Sequence, residues 1–268
     1  MPDLAGTTVL VAGGGCGVER AVEALAEHGA HLVLQVESDV EHRTAVVLAG
    51  SVPGARVLDA PARTFIDAQA VVDAVASAEG AVDILLLPVP PRTSERLDEL
   101  DLEAWHETVA RVTKRSAGLT KAFALHRVER GGGGHVVAFA SSAVFASEGV
   151  SQASVNAAAL SLTSGVATTL APHGVAVNCV VLGGDTAQGG VPAPDIASDE
   201  LLASLVVHLA VVDPSFTGRF LYCAGRDIGI YAMPLVIEQA HVLVRLPDEP
   251  GPDELAELLA PLADVGRV

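Results

Sequence analysis

The sequence predicts one α/β domain: a doubly wound parallel sheet of about seven strands with helices on both faces. Three observations carry this. First, TTVLVA, HLVLQV, VDILLLP, HVVAFA and VAVNCVVLG are short apolar runs of the kind buried on both faces of a parallel sheet. Second, between them lie longer segments with helical spacing of apolar residues, such as VERAVEALAEHG and TFIDAQAVVDAVASAEG. Third, no internal repeat or linker-like stretch divides the 268 residues, a length one large domain can hold. The expected organisation is a main domain over residues 1–230 and a C-terminal extension over 231–268 docked on it.

Composition narrows the partners. Half of the residues are hydrophobic, only 3% are aromatic, and mean hydropathy is +0.44. The core must therefore be packed with Ala, Val and Leu, and so apolar a chain is expected to bury surface against other subunits. The formal charge of −17 argues against nucleic acid and anionic membranes, which need a basic footprint. No apolar run is long enough to span a bilayer. A strand begins almost at once, so no signal peptide is expected and the reading is a cytoplasmic protein. Cys16, Cys179 and Cys223 make no disulfide framework and read as reduced thiols. No His/Cys cluster has metal-ligand spacing.

Taken in order, TTVLVA leads into the glycine-rich turn Gly13-Gly14-Gly15-Cys16-Gly17 and the helix VERAVEALAEHG. Strand, glycine turn and helix make a cradle for an anion at the helix N-terminus. HLVLQV is the second strand, with Glu37 just past Val36. ARVLDA is the third, ending near Asp59. TFIDAQAVVDAVASAEG is a helix, and VDILLLP the fourth strand, followed by Val89, Pro90 and Pro91. DLEAWHETVARVTKRSAGLTKAFALHRVERGGGG is a long helix and its exit, on which Arg111, Lys114 and Arg115 read as solvated or interface charges. HVVAFA, the loop SSAVFASEG, a helix from Ser151 to Leu170 and the strand VAVNCVVLG form a right-handed βαβ unit, with Gly174 suited to the helix C-cap. On that helix Leu162, Val166 and Leu170 make one stripe and Ala159, Thr163 and Ala167 a smaller one, which suits packing against another subunit. AQGGVPAPD reads as a lid-like loop, DELLASLVVHLAVVD as an amphipathic helix, TGRFLYCAGRDIG as the last strand, and PDELAELLAPL as a short docked helix.

LTSGVATTLAPHGVAVN, with the glycine turn and Asp83-Ile84-Leu85-Leu86, resembles the short-chain dehydrogenase/reductase family over about residues 5–230. The resemblance implies a Rossmann-type fold. It also implies a site in which a tyrosine moves the proton as hydride transfers. A lysine holds the cofactor ribose and lowers the tyrosine pKa, and a serine steadies the carbonyl oxygen. In register, the serine falls on Ser141, with Ser142 next to it. The tyrosine falls on Gln152, the lysine on Asn156, and the asparagine that breaks the long helix on Thr113. Gln152 has no titratable proton and Asn156 no charge, so the route to ordinary hydride transfer is missing.

The cofactor positions implied by the resemblance are Gly13, Gly17, Glu19, Asp59 and Gly183. Glu19 replaces the third motif glycine. It either faces the pyrophosphate as a like charge or serves as a first-turn acid of the helix, and both hold together. Glu37 either replaces the ribose-holding acid, whose aligned position is Val36, or is a solvated surface acid. Asp59 either lies by the adenine or caps the next helix. Glu148 and Asp185 are either replacement acids or bases, or solvated loop carboxylates. Cys16 is either an activated thiol or merely small enough to fit. The expectation is no NAD(P) or weak NAD(P) binding, and a homo- or hetero-oligomer with another family subunit. The extended tail is similar to that of members acting on 3-hydroxyacyl-CoA and steroid-like substrates, which adds a possible small acyl-CoA or steroid-like ligand.

Overall fold

The computed structural model describes residues 3–15, 18–88, 97–141, 149–183 and 199–230. All of them belong to one compact unit, Met1–Ala232. The lid-like loop and residues 231–268, with the docked helix expected there, lie outside the described residues.

Eight strands form one sheet in the order β3-β2-β1-β4-β5-β6-β7-β8. They are β1 Thr8–Ala12, β2 His31–Val36, β3 Arg56–Asp59, β4 Ile84–Leu87, β5 Gly134–Ser141, β6 Val175–Leu182, β7 Phe220–Ala224 and β8 Asp227–Ile230. Neighbours pair in parallel except β7 and β8, an antiparallel hairpin that accounts for the strand beyond the seven anticipated. TGRFLYCAGRDIG therefore supplies two strands, turning at Gly225 with φ +54°. The central strands are apolar on both faces, as a sheet covered on both sides requires; β1, β4 and nearly all of β6 are buried.

The helices are α1 Glu19–Glu27, α2 Asp39–Ser51, α3 Phe65–Glu79, α4 Leu102–Glu129, α5 Val150–Leu170 and α6 Asp199–Leu209. α1 packs on α6 and touches α2, while α3 packs on α4 and α4 on α5. Two helical layers thus sandwich the sheet. Local chemistry sets their ends. The Ser38 hydroxyl accepts from the Glu41 amide to start α2. Thr64 and Asp67 close a capping box on α3. α5 ends in a 3-10 turn, Ala171–His173, closed by Gly174 in the left-handed region.

The strand order reverses between β1 and β4. In open α/β sheets the ligand crevice lies there, outside the carboxyl ends of the strands. Gly13, Glu37, Pro88 and Ser141 all follow or end strands on that edge.

The stripes of α5 are oriented differently from the expectation. Thr163 and Ala167 are buried, and the Thr163 hydroxyl donates back to the Ala159 carbonyl at 2.9 Å. Thr163 lies close enough to hydrogen-bond Cys179 of β6, so the small stripe lies against the sheet. Leu162 and Val166 instead line a groove with Ala117, Lys121 and Ala124 of α4 and Gly165 of α5. The reason is spacing: Val155, Leu160, Thr163, Ala167 and Leu170 form one continuous buried face, and the small residues let α5 sit close to β6.

Candidate active site

Ser141 is the last residue of β5 and pairs with Leu182 of β6. Its amide donates to Asn156 Oδ1 at 3.2 Å, and Gln152 Nε2 donates to the same oxygen at 3.4 Å. The i, i+4 spacing puts Gln152 and Asn156 on one turn face of α5. The structure thus gathers three of the four anticipated site residues. They are sealed: Gln152 is 2% exposed and Asn156 1%. Asn156 Nδ2 has no hydrogen-bond partner among the described residues. The trio contains two amides and a hydroxyl, and none of these carries a charge or a proton that leaves near neutral pH.

Thr113 does not join them. α4 runs unbroken through it, and its hydroxyl donates to the Val109 carbonyl at 2.6 Å. A threonine satisfied within its own helix leaves the backbone closed where the resemblance anticipated a break. Thr113 and Asn156 both line a hollow of about 40 Å³ between α4, α5 and the sheet, otherwise walled mainly by apolar groups such as Val112, Val155 and Phe139. β4 ends at Leu87 with Pro88 after it. Val89, Pro90, Pro91, Ser142, Glu148 and Asp185 lie outside the described residues.

At the other end of the crevice, Gly13 and Gly14 take φ of +67° and +71°. A Cβ on Gly14 would stand 2.6 Å from the Glu41 carbonyl oxygen, so the turn after β1 packs directly on the first turn of α2. Gly17 and Cys16 lie outside the described residues. Glu19 opens α1, is exposed, and lines a surface groove with Arg43 and Thr44 of α2. Asp59 is exposed at the end of β3, with His42 Nδ1 at 4.0 Å. It caps no helix, because Thr64 caps α3. Gly183 has a packing reason: a Cβ there would meet the Tyr222 hydroxyl and the Ala224 Cβ, each at 2.6 Å.

The charge at the glycine turn is Arg115, which corrects its reading as a solvated or interface group. Its side chain is only 9% exposed. Arg115 Nη1 donates to Glu41 Oε1 at 2.7 Å and lies 3.5 Å from Glu37 Oε1. Arg115 Nη2 is 3.0 Å from the position a Cβ on Gly13 would take. Glu41 Oε2 accepts from the Glu37 amide, and Glu37 Oε2 from the Ala62 amide. Glu37 is therefore a buried, tethered carboxylate, not a solvated one. Sequence reasoning passed over Glu41 altogether. A signal was present on α4: Val112, Arg115, Leu119, Ala122 and His126 share the buried stripe, which puts Arg115 on the inward face.

The cysteines offer no nucleophile among the described residues. Burial pushes the Cys179 thiol up to about 12 and raises that of Cys223. No metal-holding group of His, Cys, Asp and Glu exists among the described residues, and none of the described helices is long and apolar enough to cross a membrane.

The short chain dehydrogenase family model matches residues 7–188. The chain belongs to that family. It is 29% identical over 188 residues to a probable galactose dehydrogenase of Rhizobium meliloti, covering 68% of this chain and 73% of that one. A short chain dehydrogenase of Burkholderia cenocepacia, solved in complex with NADP, is 26% identical and superposes with a TM-score of 0.69, over 83% of this chain and 98% of that one. A short chain dehydrogenase of Mycobacterium avium, 18% identical, gives 0.77 over 98% and 96% and shows the fold alone.

Family members typically work with NAD(P). A dinucleotide at such a crevice places its pyrophosphate at the glycine turn and its adenosine ribose against an acid roughly 20 residues further on. Glu37 stands at that spacing, and its Oε1 makes no hydrogen bond among the described residues. The space between it and Gly13, however, holds the Arg115 guanidinium. At the Ser141 end, Asn156 places an amide at the position that the resemblance assigns to the ribose-holding lysine. As these side chains are arranged, the crevice does not fit the family's dinucleotide.

Proposed function

We propose that this chain is a non-catalytic member of the short-chain dehydrogenase family that pairs with an active one. The observation behind the reading is the Ser141–Asn156–Gln152 cluster. Where the family's chemistry needs an acid–base phenol and an ammonium, two buried amides hydrogen-bond to each other and to the backbone. Removing a positioned acid–base group costs roughly 10²–10⁴ in rate, and here both partners are replaced. On this reading the chain binds NAD(P) weakly or not at all. Its contribution is a surface, and the groove between α4 and α5 is the candidate for it.

The test is co-expression with a family member that keeps an intact Tyr-x-x-x-Lys. The expected result is a stoichiometric complex whose turnover vanishes when that partner's tyrosine becomes phenylalanine. It is expected to survive Ser141→Ala in this chain. A chain that stays monomeric with every such partner, or activity that depends on its own Ser141, ends the reading.

A second reading is favoured by the likeness to a probable galactose dehydrogenase. The chain would then be an oxidoreductase of a sugar-, acyl-CoA- or steroid-like hydroxyl or ketone, using a replacement acid. A lyase or isomerase reusing the pocket belongs to the same alternative.

A further inference from the structure

The buried ion cluster at the glycine turn crosses the molecule in an unusual direction. Arg115 belongs to α4, in the layer of α3 and α5. Glu41 belongs to α2, in the layer of α1. Their contact at 2.7 Å therefore passes over the carboxyl edge of the sheet, at the switch point between β1 and β4. That edge is where a ligand of an open α/β sheet enters. Glu37 after β2, held by the Ala62 amide, and Gly13 after β1 lie on the other sides of the guanidinium. Two carboxylates face one guanidinium, and one oxygen, Glu37 Oε1, lacks a hydrogen bond among the described residues. A cluster serving only as a structural staple has no need of a second carboxylate left half satisfied at the point where a ribose hydroxyl would be held.

We propose that Arg115 is a built-in plug of the dinucleotide crevice. Latched by Glu41, its guanidinium occupies the space beside Gly13 that the adenosine ribose and adjoining phosphate would fill. It also draws the ribose-holding acid, Glu37, into an internal ion pair. The plug deepens the non-catalytic reading, since it rests on the chain holding no tight dinucleotide of its own. It concerns binding and is separate from the missing acid–base pair at the other end of the crevice.

The experiment is calorimetric titration of NAD⁺ and NADP⁺ into the full chain, with folding of each variant checked by circular dichroism. The variants are Arg115→Met with Glu41→Gln, which removes the plug and one of its two carboxylates, and the same pair with Glu37→Gln added. The wild type is expected to give no saturable binding at micromolar nucleotide. The double variant is expected to bind NAD⁺ at least about tenfold more tightly and to prefer it over NADP⁺, because a freed carboxylate accepts ribose hydroxyls and repels a 2′-phosphate. Adding Glu37→Gln should remove the gain. Should the double variant not fold, Glu41→Gln alone loosens the latch and should give a smaller gain of the same sign.

Micromolar binding by the wild type overturns the plug, as does a folded double variant that binds no better. Wild-type NADP⁺ binding that Arg115→Met abolishes also overturns it, by making Arg115 a phosphate ligand. Binding gained without turnover supports both the plug and the non-catalytic reading. Binding gained with turnover keeps the plug and ends that reading.

Discussion

The two ends of the crevice are built in opposite chemical ways. At the Ser141 end, the Ser141 amide and Gln152 Nε2 both donate to Asn156 Oδ1, so only neutral groups meet there. At the nucleotide end, Glu37, Arg115 and Glu41 are charges gathered into a buried cluster. The first is a neutral arrangement whose one defect is Asn156 Nδ2, without a hydrogen-bond partner among the described residues, and an uncharged group costs less to bury than a charge. The second is a commitment, because a buried charge stays inexpensive only while its partner remains. The fold therefore depends on the nucleotide end much more than on the Ser141 end.

That asymmetry can be broken or sharpened by mutation. The largest effect is expected for Arg115→Ala, which strands two buried carboxylates and should cost about 3–5 kcal/mol in urea unfolding. A loss under about 1 kcal/mol would mean that the cluster is solvated and the contrast false. Thr163→Asp comes next. It places a carboxylate against Cys179 and the sheet, and should lower the melting temperature of the isolated chain. Gly165→Asp lies on the same helix at an exposed position with open space around its Cβ. It should leave the melting temperature nearly unchanged while shifting light-scattering mass towards monomer. If both variants act only on assembly, the inward placement of Thr163 is wrong.

At the Ser141 end, Asn156→Lys with Gln152→Tyr removes the acceptor of the Ser141 amide and should cost about 1–3 kcal/mol. It should restore no turnover, because Arg115 and the continuous α4 remain.

The smallest effect concerns His126 and His135, which lie off the crevice and serve as a baseline. Burial lowers the pKa of both, and the Val82 amide donates to His126 Nε2. A histidine with a lowered folded pKa binds more protons when unfolded, so stability rises with pH. It is lost as pH falls below about 6.5 towards the lowered folded values, by at most about 1.4 kcal/mol per pH unit for each group. Unfolding midpoints at a series of pH values check this, and His126→Gln should flatten the slope. A midpoint that rises on acidification would reverse the sign.

The fold could be read from the sequence because it depends on patterns a chain states locally. Buried strands are apolar throughout, helices repeat their apolar face, and β1, its glycine turn and α1 announce themselves in order. The gathering of Ser141, Gln152 and Asn156 was legible for a related reason: they lie within sixteen consecutive residues, and i, i+4 geometry joins the last two. The nucleotide end was not, because its cluster joins residues 13, 37, 41, 62 and 115, brought together only by the sheet order. Arg115 looked like a surface charge until its place on the buried stripe was weighed. Glu41 is also a first-turn acid of α2, and that local role gives no sign of its partner on α4. On α5, Leu170 shares the buried face with Thr163 and Ala167 and not the stripe of Leu162 and Val166, and which face turns inward depends on the closeness of β6, a tertiary fact.

The central claim is that the chain keeps the family's crevice and fills it with its own side chains. The most direct measurement is NAD(P)-dependent turnover by the purified chain, free of contaminating dehydrogenases, with galactose and a 3-hydroxyacyl-CoA as substrates. The account predicts no formation of reduced nucleotide above the buffer control with either cofactor. A robust rate that disappears in Ser141→Ala would contradict it.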